Sequence, residues 1–348
     1  MASNQTGPQP SKITVHDIAG KAGVSQSTVS KVLNGYPNLR ESTRKKVLQV
    51  IEEMGFVPDQ IARSLVKNKT GTIGLIVGDI ANPFFSETSK TIIAKARQYG
   101  IDVIISDTDY DNAIMQKSLS AMLARRVDGI LVASVEREDP NIDRLMERKF
   151  PLILYNRKTD NERANYVVSN NSSGSRLAVE HLIELGHTKI CFLSGSNKYS
   201  TFHQRYEGYK KTLEKHGIPF RPEFVYMQNN PETGLCGFIH DVLRLEDRPT
   251  AFFAATDQLA IQTMNLVSKM GYAVPEDFSI VGYDDIEISS NPFVGLTTVS
   301  QNNRLMAETA LEKLLGLING DISAEQPIQI VLESELIVRK TTIRARET

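Results

Sequence analysis

Apolar residues follow a helical spacing near the start of the chain and form short continuous runs further along it. In AGVSQSTVSKVLNG, residues 22 to 35, Val29, Val32 and Leu33 fall on one face of a short helix, and small polar residues fill the other face. After residue 70, apolar runs such as TIGLIVGDI and SIVGYDD alternate with amphipathic stretches such as SGSRLAVEHLIELGH. This alternation predicts parallel sheets flanked by helices. We therefore expect an all-α head followed by an α/β body.

The head begins with two predicted helices joined by a tight turn. Thr14 suits the N-cap of the first helix, and Asp17 suits its acidic third position. Gly23 permits the positive φ of a sharp turn, and Ser25 caps a second helix that closes at an Asn-Gly pair. A third amphipathic helix is predicted from about residue 41 to residue 54. Three short helices with this turn are typical of a helix-turn-helix.

The outward face of the second helix carries an amide, hydroxyls and an ammonium, which are groups that read base edges in a DNA groove. The N-terminal residues of such a helix enter the major groove, which points to Gln26, Ser27 and Thr28. Lys31 lies one turn later and reaches a guanine edge or a phosphate. Polar groups near helix ends suit phosphate oxygens. The other predicted DNA contacts in the head are Thr14, Ser25, Ser30, Asn34 and Thr43. The alternative is a packing module whose polar face is only solvated.

A short helix is predicted just after the head. Pro58 suits its first position, and its apolar edge consists of little more than Ile61 and Leu65. A helix this short is marginal in water, so it needs a cover such as a symmetry mate's helix together with DNA. Leu65 would then act as a wedge between base pairs in the minor groove, with Arg63 close to the phosphates. A flexible tether is the alternative.

Eight motifs occur in the chain in this order: TVHDIAGKAGVSQSTVSKVLNG, GFVPDQIARSL, IGLIVGDIANPFF, HLIELGHTKICFLSG, RYEGY, VGYDD, LTTVSQ and ELIVRKT. In sequence and order they resemble the lac repressor (LacI/GalR) family of bacterial transcription regulators, from about Lys12 to Thr342. The resemblance implies a homodimer that binds palindromic double-stranded operator DNA, and a body that binds a small-molecule effector, usually a sugar. The chain stops at IRARET, without the heptad helix of the family's tetrameric members, which favours a dimer.

The predicted organisation is a disordered tail (1–11), a helix-turn-helix domain (12–57), a hinge helix with linker (58–69), and an effector-binding and dimerisation domain (70–343). The resemblance implies that the body's two lobes exchange strands. Lobe one would comprise about 71–168 plus 301–331, and lobe two about 169–300 plus 332–343. The predicted fold class is an all-α helix-turn-helix head plus hinge helix, joined to a two-lobed α/β body like a periplasmic binding protein.

Ligands of open α/β sheets lie beyond the carboxyl ends of the strands. The candidate effector contacts at such positions are Phe84, Phe85, Asn156, Arg157, Phe202, Arg205, Asp257, Tyr283 and Asp284. The resemblance implies Arg205 and Asp284 as the leading contacts. A guanidinium and a carboxylate fix sugar hydroxyls, while aromatic rings cover the apolar face of a sugar. The alternatives are a structural ion pair for Arg205, a helix cap for Asp284, and core packing for the two phenylalanines.

Asn156 stands where many sugar-binding members of the family have aspartate. With Arg157 beside it, and Arg205 and Lys198 within reach, we expect a cleft with net positive charge. We therefore hypothesise an anionic effector, such as a sugar acid or a sugar phosphate, because buried cations require a counter-charge. A purine between the two phenylalanines is the alternative effector.

Charge is distributed unevenly, although the net charge is −1. Residues 1–69 hold ten Lys/Arg against five Asp/Glu, and the rest of the chain holds 30 against 36. A basic head on an acidic body suggests that the head meets a polyanion.

Other classes of protein fit poorly. Cys191 and Cys236 match neither a CxxC motif nor a disulfide framework, which suits a reducing cytoplasm. No signal peptide and no apolar run of about 18 residues is present, so we expect no membrane association. No phosphate-binding glycine motif, HExxH motif or nucleophile elbow occurs, so we expect neither an enzyme nor a cofactor or metal site. A secreted solute-binding protein would share the body but would lack the head. We expect a cytoplasmic, nucleoid-associated repressor.

Overall fold

The computed structural model describes residues 13–33, 36–56, 69–228, 234–323 and 325–346. The chain divides into two compact units, Met1–Thr70 and Gly71–Thr348. The first unit contains α1 (Val15–Ala22), α2 (Gln26–Leu33) and α3 (Glu41–Met54). The predicted tail and, apart from its last residue, the predicted hinge helix and linker lie outside the described residues.

The head is a three-helix module with one small core. Thr14 and Asp17 form the expected capping box at the start of α1, and Gly23 ends that helix with a φ of 63°. Ile18 of α1, Val29 of α2 and Val47 of α3 are fully buried against one another. Each helix thus buries one apolar face, and the predicted helix-turn-helix is confirmed.

The body alternates strands and helices along the chain. Its strands are β1 (Thr72–Val77), β2 (Asp102–Asp107), β3 (Gly129–Val132), β4 (Leu152–Tyr155), β5 (Tyr166–Ser169), β6 (Ile190–Ser194), β7 (Val225–Met227), β8 (Ala251–Ala254), β9 (Ser279–Asp284), β10 (Thr297–Ser300), β11 (Gln329–Leu332) and β12 (Glu335–Ile337). Its helices are α4 (Pro83–Gln98), α5 (Asn112–Ala124), α6 (Pro140–Glu147), α7 (Asn171–Glu184), α8 (Ser200–Lys215), α9 (Leu235–Val242), α10 (Asp257–Lys269) and α11 (Asn303–Asn319).

The strands form two six-stranded sheets, each at the centre of one lobe. The first sheet has the order β11-β5-β4-β3-β1-β2, and all its neighbouring strands are parallel. The second has the order β12-β10-β9-β8-β6-β7, in which only β12 runs antiparallel to its neighbour. Central strands such as β3, β4, β8 and β9 are buried along their whole length, as expected for sheets covered by helices on both faces. The predicted two-lobed α/β body is confirmed.

The chain passes between the two sheets three times. It leaves the first sheet after β5, returns to it from β10 through α11, and leaves it again between β11 and β12. Helix α11 packs on α4 and on β3, β4 and β5, so it belongs to the first lobe. The three crossing segments lie at 169–171, 300–303 and 332–335. Each lobe is therefore built from separate stretches of the chain.

No helix in the described ranges has both the length and the apolar character that crossing a bilayer requires.

Helices α7 and α8 approach closely at Gly208, the glycine of the RYEGY motif. A Cβ atom built there would lie 2.8 Å from the backbone oxygen of Ser172 and 2.8 Å from the Cβ of Ser175. Neither atom belongs to a flexible side-chain end. The absence of a side chain at Gly208 therefore sets the spacing of the two helices.

We expect the substitution Gly208→Ala to lower the free energy of unfolding by about 1–3 kcal/mol, because the added methyl group overpacks the contact between α7 and α8. Thermal and chemical unfolding of the full chain measure this effect. Gly20→Ala is the matched control, since Gly20 is also inside a helix but is exposed, with no packed atom within 4 Å of its added Cβ. Equal stability of the two variants would contradict the close approach.

Candidate functional site

The outward face of α2 carries the predicted base-reading groups. Gln26, Ser27 and Lys31 are exposed, and Thr28 is half-buried. The hydroxyl oxygen of Ser25 accepts the backbone N–H of Thr28 at 3.2 Å and so caps the helix. The second helix therefore presents an amide, two hydroxyls and an ammonium from its first two turns.

His16 is a contact of this face that the sequence interpretation missed. Its Nδ1 lies 2.9 Å from Nε2 of Gln26, so a residue of α1 holds the amide at the start of α2. The two residues are ten positions apart and belong to different helices, so the spacing of residues within a helix does not predict their contact. The contact forms because the turn between α1 and α2 brings the two helices together.

The other predicted DNA contacts of the head differ in their surroundings. Thr14 donates its hydroxyl to Asp17 at 2.7 Å, and the hydroxyls of Ser25 and Thr28 lie 2.9 Å apart. Ser30 is exposed and Thr43 is half-buried. Three further predicted DNA contacts, Asn34, Arg63 and Leu65, lie outside the described residues.

A cavity of about 690 Å³ lies where the carboxyl ends of the two sheets face each other. The first lobe contributes Asp79, Asn82, Tyr110 and Arg157 to its wall. The second lobe contributes residues that follow β6, β7 and β8, among them Lys198, Tyr199, Phe202, Gln228, Gln258 and Gln262. This position, beyond the strand ends of both sheets, is the one that the sequence predicted for the effector.

Arg157 is the predicted effector residue with the most unusual environment. Its side chain lines the cavity although only 3% of its surface is exposed, and its Nε and Nη1 atoms have no hydrogen-bond partner. Its guanidinium carbon lies 3.8 Å from the ring centre of Tyr199 and 5.2 Å from that of Tyr110. Phe202 and Phe85 lie at 5.6 and 5.9 Å. Burial lowers the pKa of this guanidinium, and the charge of Arg205 lowers it further, while the two tyrosines oppose the shift.

Asn156 and the two phenylalanines lie behind the cavity wall. Asn156 has a φ of 65° and is buried, with an unpaired Oδ1. Phe84 and Phe85 are 3% and 2% exposed, and their rings meet edge to face with centres 5.3 Å apart. The two rings contact each other in this structure, and the alternative of a purine effector between them stays a prediction.

Arg205 and Asp284 do not line the cavity. Arg205 donates from Nε to Asn171 at 2.9 Å and from Nη1 to the carbonyl of Ala255, and Nη1 also lies 3.4 Å from Oδ1 of Asp284. The guanidinium stacks 3.5 Å above the ring of Tyr283. This geometry matches the alternative of a structural ion pair, and a direct contact with effector stays a prediction from the resemblance.

Asp284 links this ion pair to the crossing segments between the lobes. Its Oδ1 accepts a hydrogen bond from Nε2 of Gln301 at 2.6 Å, and Gln301 accepts one from the hydroxyl of Ser169 at 2.7 Å. Its backbone oxygen accepts the amide of Asn303 at 2.7 Å. One buried carboxylate thereby connects the end of β9 with two of the three crossings.

Asp257 and Tyr283 are likewise internal. The carboxylate of Asp257 accepts hydrogen bonds from the backbone of Ile286 and from the hydroxyls of Ser289 and Thr298, so its oxygens are satisfied within the second lobe. Tyr283 is fully buried, with its hydroxyl 3.4 Å from that of Ser334. Of the nine predicted effector residues, the structure thus places Arg157 and Phe202 on the cavity wall.

The two lobes touch at both sides of the cavity. On one side Lys198 pairs with Glu136 at 2.7 Å, and the backbone N–H of Arg137 donates to the carbonyl of Lys198 at 3.0 Å. On the other side Asn82 donates to Gln258 at 3.2 Å. All these contacts join residues of different lobes, so any change in the angle between the lobes must break or reform them.

Cavity residues that sequence reasoning missed include Tyr110, Tyr199 and Gln228. Tyr110 follows β2 in DTDYDN, and Tyr199 follows β6 in SGSNKYS. Both residues follow a strand closely, and this position in the sequence could have identified them as candidates for the cavity wall. Within the described ranges, no group of three or more His, Cys, Asp or Glu side chains is placed to hold a metal ion.

Both units of the chain are similar to known protein families. Residues 14–59 match the family model for bacterial regulatory proteins of the lacI family, and residues 179–342 match the model for a periplasmic binding protein-like domain. The chain is 32% identical over 329 residues to the HTH-type transcriptional repressor PurR of Actinobacillus pleuropneumoniae, covering 94% of this chain and 98% of that protein. It is 31% identical to catabolite control protein A of Priestia megaterium, covering 91% and 96%.

Solved structures agree with these relatives. The lac repressor dimer bound to operator and the anti-inducer ONPF has a TM-score of 0.81 and 28% identity, covering 95% of this chain and 99% of that chain. The complex of the transcriptional regulator CelR with cellobiose has a TM-score of 0.70 and 27% identity, covering 94% and 99%.

Asp284 and Arg205 form a buried pair. Burial raises the pKa of the Asp284 carboxyl, and the charge of Arg205 opposes this shift. Removing the carboxylate would leave the buried guanidinium without its counter-charge, and loss of one partner of a buried ion pair costs about 3–5 kcal/mol.

We expect Asp284→Asn to lower the free energy of unfolding of the full chain by about 3–5 kcal/mol, although it keeps the side-chain shape. Thermal and chemical unfolding measure this effect. Asp321→Asn, at an exposed position, is the control and should leave stability unchanged. Equal stability of the two variants would contradict the structural ion pair.

Proposed function

The chain belongs to the lacI family of bacterial regulatory proteins, and we propose that it is a transcriptional repressor whose operator affinity is set by a small carbohydrate-type effector in the cavity between its lobes. The observation that carries the DNA-binding part is the outward face of α2. Its first two turns hold an exposed amide, hydroxyls and an ammonium, and His16 fixes the amide. These groups suit base edges and phosphates in a major groove.

The cavity supports the effector part of the proposal. It lies between two lobes, is about 690 Å³ in size, and has a wall of amides, hydroxyls and aromatic rings. That volume and lining are typical of a site for a small polar ligand. The similar regulator CelR was solved as a complex with cellobiose, and another LacI-family regulator of similar fold was solved with bound ribose.

We propose a population shift as the mechanism of control. An effector that contacts both lobes favours one angle between them, because the contacts of Lys198 with Glu136 and of Asn82 with Gln258 change with that angle. In a homodimer on a palindromic operator, this angle would set the spacing of the two heads and so their fit to the half-sites. The predicted hinge helix, with Arg63 and Leu65 at the minor groove, would transmit the change.

We expect the full chain to enrich a palindromic sequence from a pool of random duplexes, with an affinity that falls steeply as salt rises. Gln26→Ala should weaken binding to the enriched duplex by about 10- to 100-fold, because one base-reading amide is lost. Binding to an unselected duplex should change little. Electrophoretic mobility shift or fluorescence anisotropy measures both affinities.

Gln49→Ala is the matched control for this substitution. Gln49 is an exposed amide of α3 that donates to Glu53 at 3.0 Å, so its loss should leave operator affinity unchanged. A selection that enriches no sequence would refute the proposed repressor function. Equal losses for the two variants would refute the reading role of Gln26.

A further inference from the structure

We propose that the effector is a polyhydroxylated molecule with a single acid group, and that Arg157 is the partner of that acid. This inference rests on the proposed function only in taking the cavity between the lobes as the effector site. It differs from the expectation drawn from the family resemblance, in which Arg205 is the leading contact.

Arg157 is a buried cation that forms no ion pair with any described residue. It lines the cavity, is almost fully buried, and keeps two guanidinium nitrogens without a partner. Its neighbours are the faces of four aromatic rings, the nearest being that of Tyr199 at 3.8 Å. Ring faces attract a cation but compensate a buried charge only in part. A bound carboxylate or phosphate would supply the missing counter-charge and hydrogen-bond acceptors.

The other cations near the cavity are already paired. Lys198 forms an ion pair with Glu136 at 2.7 Å, and Arg205 is held by Asp284 and two further oxygens. Among the described residues of the cavity wall, Arg157 is therefore the cation that forms no ion pair. A ligand with an acid group would give it a partner.

The aromatic enclosure of Arg157 is built into both lobes. A Cβ atom at Gly78, just after β1, would lie 2.3 Å from the ring of Tyr110. A Cβ atom at Gly195, just after β6, would lie 2.4 Å from the ring of Phe202. Glycines at matching positions of the two lobes thus leave room for rings that exclude water from the guanidinium, and exclusion of water strengthens its attraction to an anion.

The rest of the wall suits hydroxyl groups. Gln228, Gln258 and Gln262 offer amides that both donate and accept. Asp79 also lines the cavity, and its carboxylate, which accepts a backbone N–H from Ala81 at 2.8 Å, can accept a ligand hydroxyl as well. Its negative charge also disfavours a second acid group on the ligand. A sugar acid and a sugar monophosphate share the required chemistry.

Calorimetry on the full chain tests this inference with ligand pairs that differ in the acid group. The pairs are D-glucuronate with D-glucose, D-galacturonate with D-galactose, D-gluconate with D-sorbitol, and D-glucose 6-phosphate and D-ribose 5-phosphate with their parent sugars; hypoxanthine represents the purines. We expect at least one acid to bind and its neutral counterpart not to bind. Binding of carboxylates alone or phosphates alone identifies the acid. Binding of only neutral sugars or hypoxanthine, or of nothing, overturns the inference.

Arg157→Gln should weaken binding of the acid by about thirtyfold or more, because its buried partner is lost. The exposed Arg148→Gln is the matched control and should bind as the unaltered chain does. Arg157→Lys keeps the charge and should retain part of the affinity, so a folding defect in the glutamine variant does not decide the outcome. Undiminished binding by folded Arg157→Gln overturns the inference. Operator binding is measured in parallel with and without each ligand, and its absence under every condition in the unaltered chain would count against the repressor function instead.

Discussion

One buried carboxylate, that of Asp284, holds together the part of the body where the two lobes meet. It receives Arg205 from α8 and Gln301 from a crossing segment, and Gln301 in turn receives Ser169 from another crossing. Asp284, Asp285 and Asn302 all have positive φ, a conformation that costs free energy in residues with side chains. Such backbone persists only where surrounding hydrogen bonds fix it. The lobes therefore meet at a buried, hydrogen-bonded hub, and a change in the angle between them must also break or reform the contacts at the two sides of the cavity.

Arg205 and Arg157 are both buried beyond the strand ends, but they differ in the groups that compensate their charge. Arg205 has a carboxylate, an amide oxygen and a backbone carbonyl as acceptors, so its charge serves the architecture. Arg157 has aromatic faces and two unpaired nitrogens, and its charge is the one for which we propose a partner on the effector. Burial of an ion without full compensation is costly, and such ions cluster at functional sites. Under this proposal, Arg205 serves the architecture of the body and Arg157 serves recognition of the effector.

The sequence predicted the architecture well because the dominant signals are periodic or local. The apolar stripe of Val29 and Val32, the capping box at Thr14 and the turn at Gly23 each act within a few residues, and the buried strands read as continuous apolar runs. The cavity was harder to predict. Residue position after a strand selected Arg157 and Phe202, which line the cavity, but it could not separate them from Arg205, Asp257, Tyr283 and Asp284, whose side chains are bonded within the body. That distinction depends on partners at other positions in the chain, such as Asn171 for Arg205 and Gln301 for Asp284.

Because the chain passes between the two lobes three times, a ribosome does not synthesise one whole lobe and then the other. The first sheet has its five strands β1 to β5 by residue 169, yet β11, which covers the edge of β5, and α11, which covers β3 to β5, come only after residue 302. During the synthesis of the intervening residues the nascent first lobe exposes an unpaired strand edge and an apolar face that Met306, Leu311 and Leu314 later bury. The second lobe is nearly complete by then. Vectorial synthesis thus leaves the first lobe unfinished while all but the last strand of the second lobe is made, and the uncovered edge of β5 is meanwhile open to association with other chains.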